Sequence, residues 1–138
     1  MRALGIDLGL KRTGIALAEG QVTVPLETLS KERKLSDRVR RVARMGDQRQ
    51  VDCFVVGYPL ETDGQVGTRA AFAKDFADRL SERSGLPVHL VDERYTTVEA
   101  KQRLRDAGVG SEQIKGVLDQ TAAVVILESW LASMEKPE

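Results

Sequence analysis

The sequence predicts an α/β fold: a mixed five-stranded sheet, a three-strand antiparallel meander plus two parallel strands, flanked by helices. Three observations carry that expectation. Short strands come first and are joined by turns. Two further apolar strands follow, each reached through a helical segment. Two helices then close the chain. Early strands joined by hairpins and later strands joined through helices imply one mixed sheet with helices on its faces. The crossover from the third strand through the first helix should be right-handed and place the fourth strand beside the first. That is a topological switch point, where open sheets hold ligands at strand ends.

Each element has its own warrant. Leu4, Ile6 and Leu8 alternate with Gly5, Asp7 and Gly9, the period of a strand with one buried face. A tight, glycine-bounded turn leads into a second strand ending near Ala18, and Gln21 to Leu29 reads as a third. From about Lys34 to Gln48, Leu35, Val39, Val42 and Met45 recur at helical spacing. Arg33, Arg40, Arg41 and Arg44 fall on the opposite side, so this helix has a basic outer face. Val51 to Val56 is a near-continuous apolar run and suits a strand covered on both faces. Gly57-Tyr58-Pro59 stops it, and Glu61-Thr62-Asp63-Gly64 is a turn signal. A second helix runs from about Gly67 to Ser84, with Phe72, Phe76, Ala77 and Leu80 inside and Gly85 as its C-cap. Pro87 to Val91 is the fifth strand. Thr96 and Glu99 have capping-box spacing and open a third helix that ends near Gly108. The polar, glycine-containing stretch from Gly108 to Gly116 reads as a mobile loop, and the last helix as about Asp119 to Met134.

The totals narrow the class. A chain of 138 residues is one ordinary domain, here 1–138, long enough to bury a real core. With 41% hydrophobic and 30% charged residues it reads as soluble and globular. No apolar run approaches the roughly 20 residues of a membrane span, and no export signal is visible. Cys53 is the single cysteine, so there is no disulfide framework and a reducing cytoplasm fits. Net charge is zero, yet residues 31–50 carry eight Lys or Arg against three Asp or Glu. Such a zone either meets a phosphate backbone or is the solvated face of a helix.

Three carboxylates stand where they can meet. Asp7 lies inside the apolar alternation, between two residues without side chains, which leaves room for a metal ion or phosphate. One of Asp92 and Glu93, just past the fifth strand, should turn towards the sheet face that carries Asp7. Asp119 shares a helix face with Ala122, Ala123, Ile126 and Trp130, and the first turn of that helix would aim it at the sheet. An N-cap role explains Asp119 equally well. Converging carboxylates repel and raise one another's proton affinity. Hard divalent cations relieve this, and Mg²⁺ binds through one or two carboxylates plus water and substrate phosphate. Two such ions about 4 Å apart stabilise both oxygens of a phosphodiester displacement. No Cys or His cluster offers a zinc site, and His89 reads as structural.

These residues carry a resemblance. Gly5-Ile6-Asp7-Leu8-Gly9-x-Lys11-Arg12-Thr13-Gly14 resembles the YqgF/RuvX family, as do Gly57-Tyr58-Pro59-Leu60-x-x-Asp63-Gly64 and Asp92-Glu93-Arg94-x-Thr96-Thr97-x-Glu99-Ala100. The closing Asp119-x-x-Ala122-Ala123-x-x-Ile126-Leu127 completes the set, which covers nearly the whole chain. Tyr58 and Thr13 depart from the family's usual residues without touching the acids, and packing is the plainer role for Tyr58. The resemblance implies an RNase H-like fold and a cytoplasmic nuclease acting in 5′-end processing of pre-16S rRNA. The alternative it implies is a Holliday junction resolvase acting on branched DNA. It assigns Asp7, Glu93 and Asp119 as the catalytic, metal-binding triad, choosing Glu93 over Asp92. Mg²⁺ or Mn²⁺, as two ions, would be the cofactor, with a 5′-phosphate and 3′-hydroxyl as products.

Lys11 and Arg12, in the turn beside Asp7, either hold flanking phosphates or are ordinary exposed turn residues. Arg94 either pairs structurally with a carboxylate or contacts substrate, and the pairing is the favoured reading. A junction resolvase should be a homodimer, whereas single-stranded RNA suits a monomer. A non-catalytic nucleic-acid-binding module is the rival from another class, and the intact acid set argues against it.

Overall fold

In a computed structural model of the chain, residues 1–59, 64–93 and 96–135 are described, with the backbone alone for 96, 97, 111, 112, 115, 116 and 135. Five strands form, β1 (Arg2–Leu8), β2 (Thr13–Glu19), β3 (Val22–Leu29), β4 (Cys53–Tyr58) and β5 (Val88–Asp92). The helices are α1 (Leu35–Gln48), α2 (Thr68–Ser84), α3 (Thr96–Asp106) and α4 (Ser111–Glu135). The sheet order is β3-β2-β1-β4-β5. β1, β2 and β3 pair antiparallel, while β4 lies parallel to both β1 and β5. The sheet is thus the predicted meander extended by two crossover strands, with β4 beside β1.

Strand alternation divides the core between two layers. Leu4, Ile6 and Leu8 of β1 point to one face, where they join Phe54, Val56 and Ile15 against Val39, Val42 and Phe76 of α1 and α2. The opposite face is built from small residues, Ala3, Ala16, Ala18 and Cys53, and packs on Ala123, Ile126, Leu127 and Trp130 of α4. Small side chains let the helix lie close: a Cβ on Gly5 would run into Leu127 and the Ala123 carbonyl. Asp7 belongs to this second face. A smaller cluster of Ala100, Ala122 and Val125 joins α3 to the back of α4. Tyr58 packs against the first layer, so its bulk serves the core.

Two details differ from the sequence expectation, the end of β4 and the stretch 108–116. Gly57 does not end β4, because Gly57 and Tyr58 still pair with Val91 and Asp92 of β5. Glu99 pairs with Arg103 one turn on, at 3.4 Å, as an i,i+4 ion pair. The side chain of Thr96 lies outside the described residues, as do Arg94 and positions 60–63 of the expected turn. The stretch expected to be a loop is mostly helix. α3 stops at a left-handed Gly108, Val109 donates back to the Leu104 carbonyl at 3.0 Å, and α4 starts within three residues. Gln113 accepts from the Gly110 N–H at 3.1 Å, and Ile114 is buried, which anchors the new first turns despite their polar sequence.

The resulting α4 has 25 residues, and its Val117–Met134 window is long and apolar enough to cross a membrane by length and composition. The sequence reading, which took the helix as shorter, expected no such run. Here the helix lies along the small-residue face of the sheet, with Ile126 and Leu127 fully buried, so its apolarity is that of a core helix.

Phe54, fully buried near the start of β4, should be among the most sensitive apolar positions. Phe54→Ala should cost about 3–5 kcal/mol by the transfer-plus-cavity rule, read as a lowered urea midpoint with an unchanged slope.

Candidate active site

The second sheet face gathers the acids. Asp7, near the end of β1, pairs across the ladder with Gly14 of β2. Glu93 follows β5, with its N–H donated to the Tyr58 carbonyl at 3.2 Å. Glu93 is 8% exposed, and its carboxylate lies over Gly57, where any Cβ would overlap it. Asp92 ends β5 and is exposed. Asp119 approaches from α4, whose backbone at that residue rests on Gly14 so closely that a side chain there would collide with it. Bare backbone at 14 and 57 is therefore what lets two of the three acids come in.

Asp7 and Glu93 are close enough to share a proton. Burial holds Asp7 above the ordinary carboxylate range, and the Asp119 charge adds to the effect; Arg69 and the hydrogen bond from Glu93 oppose it. Glu93 is pushed up further, first by burial and then by Asp7, against the opposing charge of Arg69. Its Oε1 is buried without a hydrogen-bond partner among the described residues. Taking two carboxylates out of water without a matching cation is costly. An orphaned carboxylate oxygen is unusual in a native interior.

Asp119 is handled differently. Its side chain is 20% exposed and pairs with Arg12 Nε at 3.0 Å. It also lies eight residues inside α4, so the N-cap alternative is overturned: the helix begins earlier than its polar sequence suggested. Among the described residues, no three His, Cys, Asp or Glu side chains already form a group that could hold a metal ion. What the site offers is a buried acid pair with a spare oxygen and a third acid, across Asp7, occupied by an arginine. That donor set is all oxygen, and one or two carboxylates with water and substrate completing the shell is how Mg²⁺ binds.

Two arginines escaped the sequence reading. Arg69, in the first turn of α2, bears electrostatically on both Asp7 and Glu93. Arg38 is fully buried. Its guanidinium donates to the carbonyls of Gly9, of Leu10 at 2.6 Å and of Glu32 at 2.9 Å, and so clamps the β1–β2 turn to the start of α1. Gly9 closes that turn by donating to the Arg12 carbonyl at 2.8 Å. One signal was present: Arg38 sits three residues after Leu35 and four before Val42, on the inner stripe of α1. Of the two candidate substrate residues, both exposed, Arg12 pairs with Asp119. His89 stacks on Trp130 with ring centroids 5.4 Å apart, in a structural role.

The chain matches the family described as "RuvX: Holliday junction resolvase" over residues 1–133. It belongs to the RuvX family. A relative from Mycobacteroides abscessus named "Putative pre-16S rRNA nuclease" is 43% identical over 94% of this chain and 80% of its own length. One of the same name from Lachnospira eligens is 41% identical over 99% of this chain and all of its own. Among solved structures, RuvC from T. thermophilus in complex with a Holliday junction substrate matches 98% of this chain and 97% of that one, with a TM-score of 0.63 at 16% identity. The yeast mitochondrial Holliday junction resolvase Ydc2 matches 94% of this chain and 78% of its own, with a TM-score of 0.52 at 11% identity. At such identities the likeness shows the fold, the RNase H-like fold expected from the resemblance.

Two outcomes follow from this geometry. Arg38→Met strands three carbonyls that the clamp satisfies. It should cost about 3 kcal/mol or more and speed amide hydrogen exchange at Gly9–Gly14 beyond that of β4. The acid pair sets a pH dependence. Both folded-state pKa values are raised, so the stability that goes with holding these protons is complete below the ordinary carboxylate range. It is lost as pH climbs from that range through the raised values. Without divalent ions the melting temperature should fall from mildly acid to alkaline pH, and the fall should be shallower in Asp7→Asn.

Proposed function

We propose that this RuvX-family chain is a divalent-metal-dependent nuclease that hydrolyses phosphodiester bonds of RNA, acting in 5′-end processing of pre-16S rRNA in the cytoplasm. The observation that carries the reading is the buried Asp7–Glu93 pair, whose raised proton affinity persists against the opposing charge of Arg69, with Glu93 Oε1 unpartnered among the described residues. Support for RNA comes from the relatives, which bear a pre-16S rRNA nuclease name.

In this reading Asp7, Glu93 and Asp119 hold Mg²⁺ or Mn²⁺. Two bound ions would supply an activated water and a stabilised leaving oxygen for displacement at phosphorus. Asp7 stands between Glu93, which hydrogen-bonds to it, and Asp119, whose charge it feels, so it is the acid on which binding of the ions would depend most. The raised proton affinity of the pair means that loading the site releases protons. Arg12 neutralises Asp119 in the resting site, and the turn it sits on is held by Arg38. Arg12 and Arg69 therefore flank the acids with two cations placed to meet substrate phosphates. A non-catalytic binding module has no use for a buried acid pair that destabilises the neutral-pH fold.

The test is cleavage of labelled single-stranded RNA and of a four-way DNA junction, side by side, with Mg²⁺ or Mn²⁺. Wild type should trim the RNA, and Asp7→Asn should lose at least about 100-fold in rate, the scale expected when a key electrostatic group is removed. Paired symmetric nicks in the junction, without RNA cleavage, would move the activity to recombination. Binding with no metal-dependent cleavage of either substrate would sink the nuclease reading.

A further inference from the structure

The acid site uses one face of the sheet; the basic zone of the sequence lies on the other. α1 shields the first core layer, and its outward face borders two adjoining clefts. One, of about 700 Å³, runs between the C-terminal halves of α1 and α2 and is lined by Arg40, Arg44 and Arg83, with Asp47 the only acid. The other, of about 280 Å³, is lined by Lys31, Arg40, Arg41 and Arg44 together with Glu32 and Asp37. Arg40 and Arg44 line both, so the clefts form one continuous basic track along the helix.

The cations of this track are not equivalent. Arg41 pairs with Glu27 at 3.4 Å and Glu32 at 4.0 Å, and Arg40 with Asp37 at 3.6 Å. Arg44 and Arg83 are exposed and have no carboxylate partner among the described residues. The eight basic residues counted between 31 and 50 also resolve into different roles, because Arg38 is buried under the β1–β2 turn. That burial fixes the track's other end. Arg38 holds the Gly9 and Leu10 carbonyls and the Glu32 carbonyl together, so the turn bearing Lys11 and Arg12 lies at the start of α1, where the smaller cleft begins. A line of cations therefore leads from Arg12 at Asp119, past Lys11 and Lys31, to Arg44 and Arg83.

We propose that this track is a second binding site for the phosphate backbone of a single nucleic-acid strand, the same strand whose scissile bond enters the acid site. The inference rests on the nuclease reading for the identity of the strand, and adds a site that grips it away from the reacting bond. Successive cations along one groove match a repeating anion better than a lone one, and the arginine fork suits phosphate oxygens. Among the described residues the lining holds no aromatic ring to stack a base, its apolar members being Ala43, Val51 and Leu86, so the track reads charge rather than base.

The experiment measures affinity by fluorescence anisotropy in the Asp7→Asn background. The probes are single-stranded RNAs of about 40 and about 6 nucleotides, the shorter being near the lower end of single-strand site sizes. Arg44→Gln/Arg83→Gln is compared with Lys74→Gln/Arg79→Gln, which makes the same charge change with cations already paired to Asp78 and Asp75. The first variant should bind the long strand roughly ten-fold more weakly, and its plot of log affinity against log salt should be shallower by about 1.4. The loss should shrink on the short strand, and melting temperatures of both variants should stay at the parent value. Equal losses in the two variants, or none in the first, would overturn the second site. An acidic protein as the true occupant would give that second result. RNA cleavage that is intact while long-strand affinity ignores Arg44 and Arg83 would remove this inference alone. Absence of any RNA binding by the parent would remove the nuclease reading with it.

Discussion

Two carboxylates placed against each other on a buried sheet face are the constraint around which this molecule is built. Neither Asp7 nor Glu93 can shed its charge into water; Asp7 strengthens the hold of Glu93 on a proton, while the hydrogen bond from Glu93 eases that of Asp7. The surrounding fold looks arranged to permit that cost rather than to relieve it. Gly57 clears space for the Glu93 carboxylate, Gly14 lets α4 bring Asp119 up, and Arg12 is spent on Asp119. Among the described residues nothing is spent on Glu93 Oε1. An interior that only needed to be stable would place aliphatic residues at 7 and 93, as it does at positions 4 and 6.

A second buried charge supports the first from the opposite layer. Arg38 bonds main-chain carbonyls, not a carboxylate, and so cannot be replaced by packing alone. Its effect is to turn a four-residue connection between β1 and β2 into a fixed bracket. Asp7 stands just before that bracket and Arg12 closes it, so the acid and the cation nearest the third acid move together or not at all. The site is assembled from three chain segments far apart in sequence, and main-chain contacts, not side-chain reach, set its dimensions.

Much of this was legible before the structure. The alternation of β1 marked Asp7 as misplaced for a mere turn residue, and hairpin-then-crossover order gave β4 its place beside β1. What stayed hidden has physical reasons. The start of α4 was obscured because its first turns are polar and glycine-containing, although Gln113 and Ile114 supply a cap contact and a buried anchor. That error moved Asp119 to a helix end and made a cap role look credible. Arg38 was hidden because a charge on an apolar stripe reads as noise until its three carbonyl partners, up to 29 residues away in sequence, are seen together. The choice between Asp92 and Glu93 rested on family likeness, since a strand end does not by itself say which of two neighbours turns inward.

The contact between α4 and bare glycine backbone has a consequence for how such a protein tolerates change. On the α1–α2 side the layers are spaced by branched and aromatic side chains, so substitutions there shift helices by fractions of an ångström as volumes change. On the α4 side, Gly14 lies directly against the Asp119 main chain, and Gly5 receives the Leu127 side chain and the Ala123 carbonyl without adding a side chain of its own, so the gap is set largely by the polypeptide itself. One half of the molecule is therefore free to drift in sequence while the other keeps a fixed gauge. The acids sit in the half that does not drift.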